Sequence, residues 1–212
     1  MKVFSLFSIL SCMLLFAGFA FSAPEPAIVQ KSSDWTLDVQ YEPLTSLAIK
    51  RFGQKPQFYW YAILSITNNS KDDVEFYPSF EIATDTQQII SAEKDVTPAI
   101  FEKVKKRYKN KYPLLESTKA TSCRVLQGED NSKDIVIIWP DFDRNAKTVS
   151  LYLGGLSNET IAVDHPTEKD QDGKPKKVYL RKTLELTYTI AGDSDYRPNS
   201  KVIFKSKQWV MR

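Results

Sequence analysis

The sequence predicts a mainly β fold, an antiparallel β-sandwich with one inserted amphipathic helix at about residues 97–109. Three observations lead to this prediction. Roughly eight or nine short runs alternate between apolar and polar residues, which is the period of a β-strand. Polar turns separate these runs at close intervals, as in antiparallel sandwiches. Only one stretch of the chain has strong helical spacing.

The clearest strand is predicted at residues 57–69, QFYWYAILSITNN. One face carries Phe58, Trp60, Ala62, Leu64 and Ile66, and the other carries Tyr59, Tyr61 and Ile63. Because both faces of its first half are apolar, we expect a central strand that is covered above and below. The polar residues 68–73 that follow predict a turn.

The helix is predicted to begin after Thr97, a suitable N-cap, with Pro98 as its first residue. Its apolar stripe consists of Ile100, Phe101, Val104 and Tyr108. The other faces carry a candidate anion-binding patch, here named the basic helix patch: Lys103, Lys105, Lys106, Arg107, Lys109 and Lys111. Such a patch would attract an anionic surface, whether lipid headgroups, acidic glycan or nucleic acid. The alternative is a solvated face whose cations lie near the negative end of the helix dipole.

The remaining strands are predicted from alternation on both sides of the central strand. Trp35 to Tyr41 alternates with polar residues and indicates a half-buried strand. Pro78 breaks residues 73–84 at a bend or an edge. From Val178 to Ile190 one parity is apolar, with Lys182 as the only polar intruder. Residues 162–177 are polar and charged, and we predict a loop there.

The N-terminal 22 residues are predicted to be a secretory signal peptide, with Lys2 before an uncharged apolar run at 3–21. The alternative is an uncleaved N-terminal anchor. Residues 23–33 are predicted to be a flexible lead-in, and residues 34–212 a single β-sandwich domain. Export implies an extracytoplasmic protein, periplasmic or secreted, with no transmembrane segment after cleavage. Cys123 would then be the only cysteine, which excludes an intrachain disulfide.

Sequence motifs for catalysis or metal binding are sparse. His165 is the only histidine, which excludes any site that needs two. No nucleophile elbow or Gly-rich phosphate loop occurs. Residues 141–145 begin like an EF-hand loop, but Ala146 stands where Gly is needed and Tyr152 where Glu is needed. We therefore predict no metal, no cofactor and no catalytic residue.

Neither the net charge nor the aromatic residues identify a binding partner. The chain has 29 basic and 26 acidic residues, and this near balance gives no reason to propose nucleic acid. Trp35, Trp60, Trp139 and Trp209 all lie in strand-like runs. We interpret them as core residues, and the alternative is an exposed aromatic stripe that stacks on sugar or peptide.

Residues 61–70, YAILSITNNS, and 80–86, FEIATDT, resemble the strand–Asn turn–strand unit of telokin-like, immunoglobulin-fold domains in bacterial secreted proteins and lipoproteins. Residues 137–143, 149–158, 182–186 and 208–210 resemble uncharacterised bacterial secreted proteins. The resemblance implies a mainly β, antiparallel immunoglobulin-like β-sandwich outside the cytoplasm. It transfers no catalytic residue, because the matching motifs are strand and turn pieces.

Three function classes follow from these observations. The first is a secreted or periplasmic, non-enzymatic binding or interaction module of unknown ligand. The second is a structural or assembly component of the cell envelope. The third is a hydrolase whose site the sequence does not reveal, since no nucleophile, base and oxyanion site can be assembled from it.

Overall fold

The structure is a computed structural model that describes residues 34–50, 52–53, 55–121, 124–192 and 200–212. The predicted signal peptide at 1–22, the predicted lead-in at 23–33 and Cys123 lie outside the described residues.

The described chain is built from strands and one α-helix, α1, at Pro98–Tyr108. Before the helix lie β1 Asp38–Tyr41, β2 Thr45–Ile49, β3 Gln57–Thr67, β4 Val74–Glu75, β5 Ser79–Thr84 and β6 Ile89–Ser91. After it lie β7 Glu116–Ser117, β8 Arg124–Val125, β9 Lys133–Pro140, β10 Thr148–Gly154, β11 Thr160–Lys169, β12 Pro175–Ala191 and β13 Lys201–Met211. The strand number exceeds the predicted eight or nine because several strands span two or three residues, too few to show alternation.

The strands form two main sheets. The first has the order β1-β3-β9-β7, and β2 also pairs with β3. The second has the order β11-β12-β10-β5-β6, and β13 also pairs with β12. β4 and β8 form a small separate ladder. The described pairings between named strands are antiparallel except β7 with β9, so the prediction of a mainly β, largely antiparallel fold with one helix is confirmed.

The main core lies between the two sheets. Trp60, Leu64 and Ile66 of β3 are at most 1% exposed and belong to one buried cluster with Leu151 of β10 and Leu186 of β12. The alternation of β3 sends every second side chain into this core, as predicted. β3 therefore contributes one complete face to the contact between the sheets.

The opposite face of β3 lies under the helix. Ile100 and Val104 of α1 are buried in a second cluster with Tyr59, Tyr61 and Ile63. The predicted apolar stripe thus packs the helix onto the outer face of the first sheet. The prediction that β3 is covered on both faces is confirmed.

Trp60 is fixed by a turn that resembled the start of a calcium loop. Its indole Nε1 donates a hydrogen bond of 2.9 Å to Asp141 Oδ1. Its ring stacks on Phe142 at a centroid distance of 5.1 Å. Within the same turn, Asp143 Oδ1 accepts a hydrogen bond from the backbone N–H of Asn145 at 2.9 Å. The aspartates therefore serve a buried tryptophan and a local turn.

The loop predicted at residues 162–177 is wrong, because these residues form a hairpin. β11 pairs with the N-terminal part of β12, and Asp170 Oδ1 closes the turn by accepting from the N–H groups of Asp172 at 3.0 Å and Lys174 at 2.9 Å. Ion pairs cross the hairpin from Lys177 to Asp164 at 2.5 Å and from Lys176 to Glu168 at 2.8 Å. Charged side chains on both strands concealed the alternation from the sequence analysis.

Lys182, the one polar residue on the apolar face of β12, takes part in a buried network of polar side chains. Its ammonium pairs with Glu159, and the two side chains are only 17% and 5% exposed. Thr36 Oγ1 donates to Glu159 Oε1 at 2.9 Å, and the Lys182 ammonium lies 5.3 Å from the centroid of the Trp209 ring. The network joins the chain before β1 to β11, β12 and β13.

Replacing Trp60 with alanine should lower the free energy of unfolding by about 3–5 kcal/mol, because a buried aromatic side chain and its hydrogen bond are lost. Tyr179→Ala is the matched control, since Tyr179 is 69% exposed; it should change stability by about 0.5 kcal/mol or less. Urea denaturation measures both. Equal midpoints for Trp60→Ala and the control would contradict the assignment of Trp60 to the core.

Lys182→Met should destabilise the protein by about 3–5 kcal/mol, because Glu159 is left as an uncompensated buried charge. The double variant Lys182→Met, Glu159→Met removes both charges and should cost less than the sum of the single changes. Denaturant unfolding of the wild type, both single variants and the double variant gives the coupling. Strict additivity would show that the pair makes no energetic contribution.

Candidate functional site

Three cations of the basic helix patch make contacts within the protein, and two of them, Arg107 and Lys111, contact residues outside the helix. Lys111 Nζ forms an ion pair with Glu42 Oε1 at 2.5 Å. Arg107 donates to the Tyr61 hydroxyl at 3.0 Å. Lys105 Nζ lies 5.4 Å from the centroid of the Phe101 ring. The hydrogen bond from Lys111 is the main cause that lowers the pKa of Glu42.

The other three cations of the patch point toward solvent. Lys103, Lys106 and Lys109 are exposed and recur every three residues, so they lie along one side of the helix. This side does not include the buried Ile100 and Val104. The structure thus separates the predicted patch into three cations that make contacts within the protein and three that face the solvent.

A surface furrow lies elsewhere, and no sequence pattern indicated it as a site. It consists of three adjoining clefts of about 470, 310 and 280 Å³. The first two share Trp35 and Glu75, and the last two share Tyr77, Gly155 and Arg181. We call this continuous depression the furrow.

The middle of the furrow combines aromatic, cationic and amide side chains. Tyr77 is 61% exposed, and its hydroxyl donates to Glu75 Oε2 at 2.5 Å. Arg181 and Asn158 line the same cleft. Gly155 has φ 86°, and a Cβ there would lie 2.2 Å from the carbonyl oxygen of Tyr77. Only glycine permits this approach, so Gly155 fixes where the Tyr77 backbone lies.

One end of the furrow carries Arg212, whose side chain makes two contacts. Its guanidinium pairs with Glu81 at 2.9 Å and lies 4.2 Å from the centroid of the Tyr152 ring. Burial raises the pKa of Tyr152, and the nearby Glu185 raises it further. Burial also acts to raise the pKa of Glu185, but hydrogen bonds, first from Gln208, together lower it. Tyr152 is therefore a neutral phenol beside an ionised carboxylate at neutral pH.

The opposite end of the furrow is acidic. Asp34, Asp72, Asp73 and Glu75 line this cleft. Asp73 is paired with Arg124 at 2.9 Å. The furrow therefore runs from a carboxylate-rich end, past Trp35 and Tyr77, to an end that holds two arginines.

The carboxyl group with a raised pKa lies outside the furrow. Among the described acids with a resolved shift, only Glu93 has its pKa raised, and burial is the main cause. A glycoside hydrolase needs such an acid opposite a second carboxylate across a substrate cleft. Glu93 lines none of the three clefts of the furrow. Glu93 therefore does not face the carboxylates of the furrow across any of these clefts.

Two further features are absent from the described part of the chain. No group of three or more His, Cys, Asp or Glu side chains within it is arranged to hold a metal ion. Within the same residues, no helix is both long enough and apolar enough to cross a bilayer.

Sequence analysis missed the furrow because its residues are far apart in the chain. Tyr77, Arg181 and Arg212 meet through the pairing of β5, β10, β12 and β13. Trp35 and Asn158 are joined by backbone hydrogen bonds between residues 35–37 and 156–158. The one local signal was the Gly154-Gly155 pair, which ends β10 and allows the close approach of Tyr77. A glycine pair at a strand end is common at turns and does not by itself indicate a binding site.

Comparison with known proteins gave no match, because no family model, no curated protein and no solved structure is significantly similar to this chain.

Proposed function

We propose that the protein is an extracytoplasmic, non-enzymatic binding module whose ligand lies in the furrow. The observation that carries the proposal is the exposed pair of Tyr77 and Arg181 between two clefts. An aromatic face stacks on sugar rings or peptide planes, and a guanidinium binds carboxylates with two parallel hydrogen bonds. Each cleft has about the size of a small-ligand site.

The rigidity of the furrow supports this role. Gly155 fixes the backbone of Tyr77, and Glu81 with Tyr152 fixes Arg212. The buried Lys182–Glu159 pair holds the segment that carries Trp35, since Thr36 hydrogen-bonds to Glu159. Side chains that are already ordered lose less conformational entropy when a ligand binds.

The proposed fold relationship is an immunoglobulin-like β-sandwich. The order β1-β3-β9-β7 corresponds to A-B-E-D of that fold, and β12-β10-β5-β6 corresponds to G-F-C-C′. The parallel pairing of β7, the added strands β2 and β13, and the helix depart from the simple pattern. The apolar run at residues 3–21 supports export of such a domain.

Binding in the furrow can be tested with glycan and peptide arrays probed with wild type, Tyr77→Ala and Arg181→Ala. We expect each variant to lose about tenfold or more in affinity for any array ligand, which corresponds to about 1.4 kcal/mol. Arg144→Ala is the matched control, because Arg144 is exposed and lines no cleft of the furrow. A ligand that binds wild type and both furrow variants equally would contradict the proposal.

A second candidate function is attachment to an anionic surface through the helix. The observation in its favour is the outward direction of Lys103, Lys106 and Lys109 on a helix that is fixed to the first sheet. Like charges held along one side attract an anionic surface most strongly at low salt. A component of the cell envelope would use such a surface for assembly, which is the structural alternative.

The helix surface can be tested by sedimentation with vesicles that contain an anionic phospholipid. Wild type should bind at low salt and dissociate near 150 mM salt, where the screening length is about 8 Å. Changing Lys103, Lys106 and Lys109 to Gln should remove binding without a change in melting temperature. The control changes Lys174, Lys176 and Lys177 to Gln and so removes equal charge from the hairpin. Equal binding by the two triple variants would exclude the helix as the contact.

A further inference from the structure

β13 is a long strand at the margin of the second sheet. It is eleven residues long, ten of these residues pair with β12, and no other described strand pairs with its second edge. Arg181 and Arg212 exchange both backbone hydrogen bonds, at 2.8 and 3.0 Å. Because hydrogen bonding alternates along an antiparallel pair, Trp209 and Lys207 direct their N–H and C=O groups away from β12.

The same alternation continues beyond the irregularity at Lys205. There the register shifts, and Phe204 and Val202 direct their backbone groups outward. β13 therefore presents a row of backbone donors and acceptors to any strand that approaches. Such a row is the template for strand addition.

Apolar side chains beside this edge are incompletely covered. Phe204 is 46% exposed, and its ring centroid lies 6.1 Å from that of Tyr41 and 5.7 Å from that of Tyr188. Tyr41 ends β1, which among the described strands pairs only with β3. No described strand lies between the margins formed by β1 and β13, and an added strand there would cover Phe204.

The charge of β13 indicates which kind of strand can pair with its outer edge. The strand carries Lys201, Lys205 and Lys207 and no acidic residue. Lys207 lies opposite Leu186 on the inner face, with its Nζ 5.4 Å from the centroid of the Tyr41 ring. Antiparallel pairing of two copies about Ser206 would place Lys205 and Lys207 of one copy opposite those of the other. Like charges placed opposite each other are destabilising, which disfavours a second copy.

We propose that the free edge of β13 accepts, by strand addition, an extended acidic segment of a partner protein. Along its inner face this segment carries apolar residues next to Phe204 and Trp209 and an acidic residue next to Lys207. The main-chain ladder supplies affinity, and Lys207 supplies selectivity. This surface involves residues other than the furrow residues Tyr77 and Arg181, so the proposal stands independently of the furrow.

The test uses the full chain, a capped peptide Thr-Val-Thr-Glu-Thr-Val-Thr, and a matched peptide with Lys in place of Glu. Hydrogen exchange is followed by NMR at about 1 mM peptide. The outward amides of Phe204, Lys207 and Trp209 should gain about tenfold or more in protection with the Glu peptide only. The amides of Ser206 and Gln208 bond to β12 and serve as internal controls.

Three variants sharpen the test. Lys207→Glu should reverse the preference, so that the Lys peptide protects the edge. Lys207→Pro removes an outward N–H without removing a bond to β12 and should abolish protection by both peptides. If that variant fails to fold, the charge reversal alone decides. Lys176→Glu makes the same charge change on the hairpin and should behave as wild type.

Other outcomes overturn the proposal. Protection of the outward amides in the free chain at every concentration would mean that another segment of this chain occupies the edge. Protection that rises with protein concentration would identify a second copy as the occupant. Equal protection by the Glu and Lys peptides, or no protection by either peptide, would contradict the proposal that the edge binds an acidic strand.

Discussion

The burial of β3 on both faces is the constraint on which the rest of the structure depends. Trp60, Leu64 and Ile66 enter the core between the sheets, and Tyr59 and Tyr61 enter the core under the helix. Each fully buried large apolar side chain contributes about 1.5–3 kcal/mol. β3 also pairs with β1, β2 and β9, so one strand fixes three neighbours and both apolar layers.

The furrow and the outer edge of β13 lie beyond the part of the second sheet that packs against β3. β10 and β12 extend past the core to Gly155 and Arg181, and the segment before β1 approaches them through the Lys182–Glu159 network. The furrow forms between these parts. β13 pairs with the edge of β12 opposite to β10, and among the described strands none pairs with its outer backbone groups. Rigid strands therefore hold the residues that a ligand would contact.

The sequence predicted the parts of the fold that local periodicity determines. Alternation identified both faces of β3, and the spacing of Ile100 and Val104 identified the buried face of the helix. The hairpin was not predicted, because the charged residues that form its cross-strand ion pairs, such as Lys177 and Asp164, are typical of a loop when only the sequence is considered. Arg107 and Lys111 are exposed, but their contacts with Tyr61 and Glu42 were not predicted, because these partners are remote in sequence. The furrow was not predicted for the same reason, because contacts between distant parts of the sequence bring its residues together.

Native-state hydrogen exchange across the described strands tests the central role of β3 most directly. If β3 holds both cores, its amides should exchange only through global unfolding, with an opening free energy equal to that from denaturant. The amides of the β11 hairpin should exchange at lower free energy, because that part of β12 pairs with β11 alone. Exchange of the Ala62 and Leu64 amides through a local opening, at a free energy below that of β10, would contradict the account.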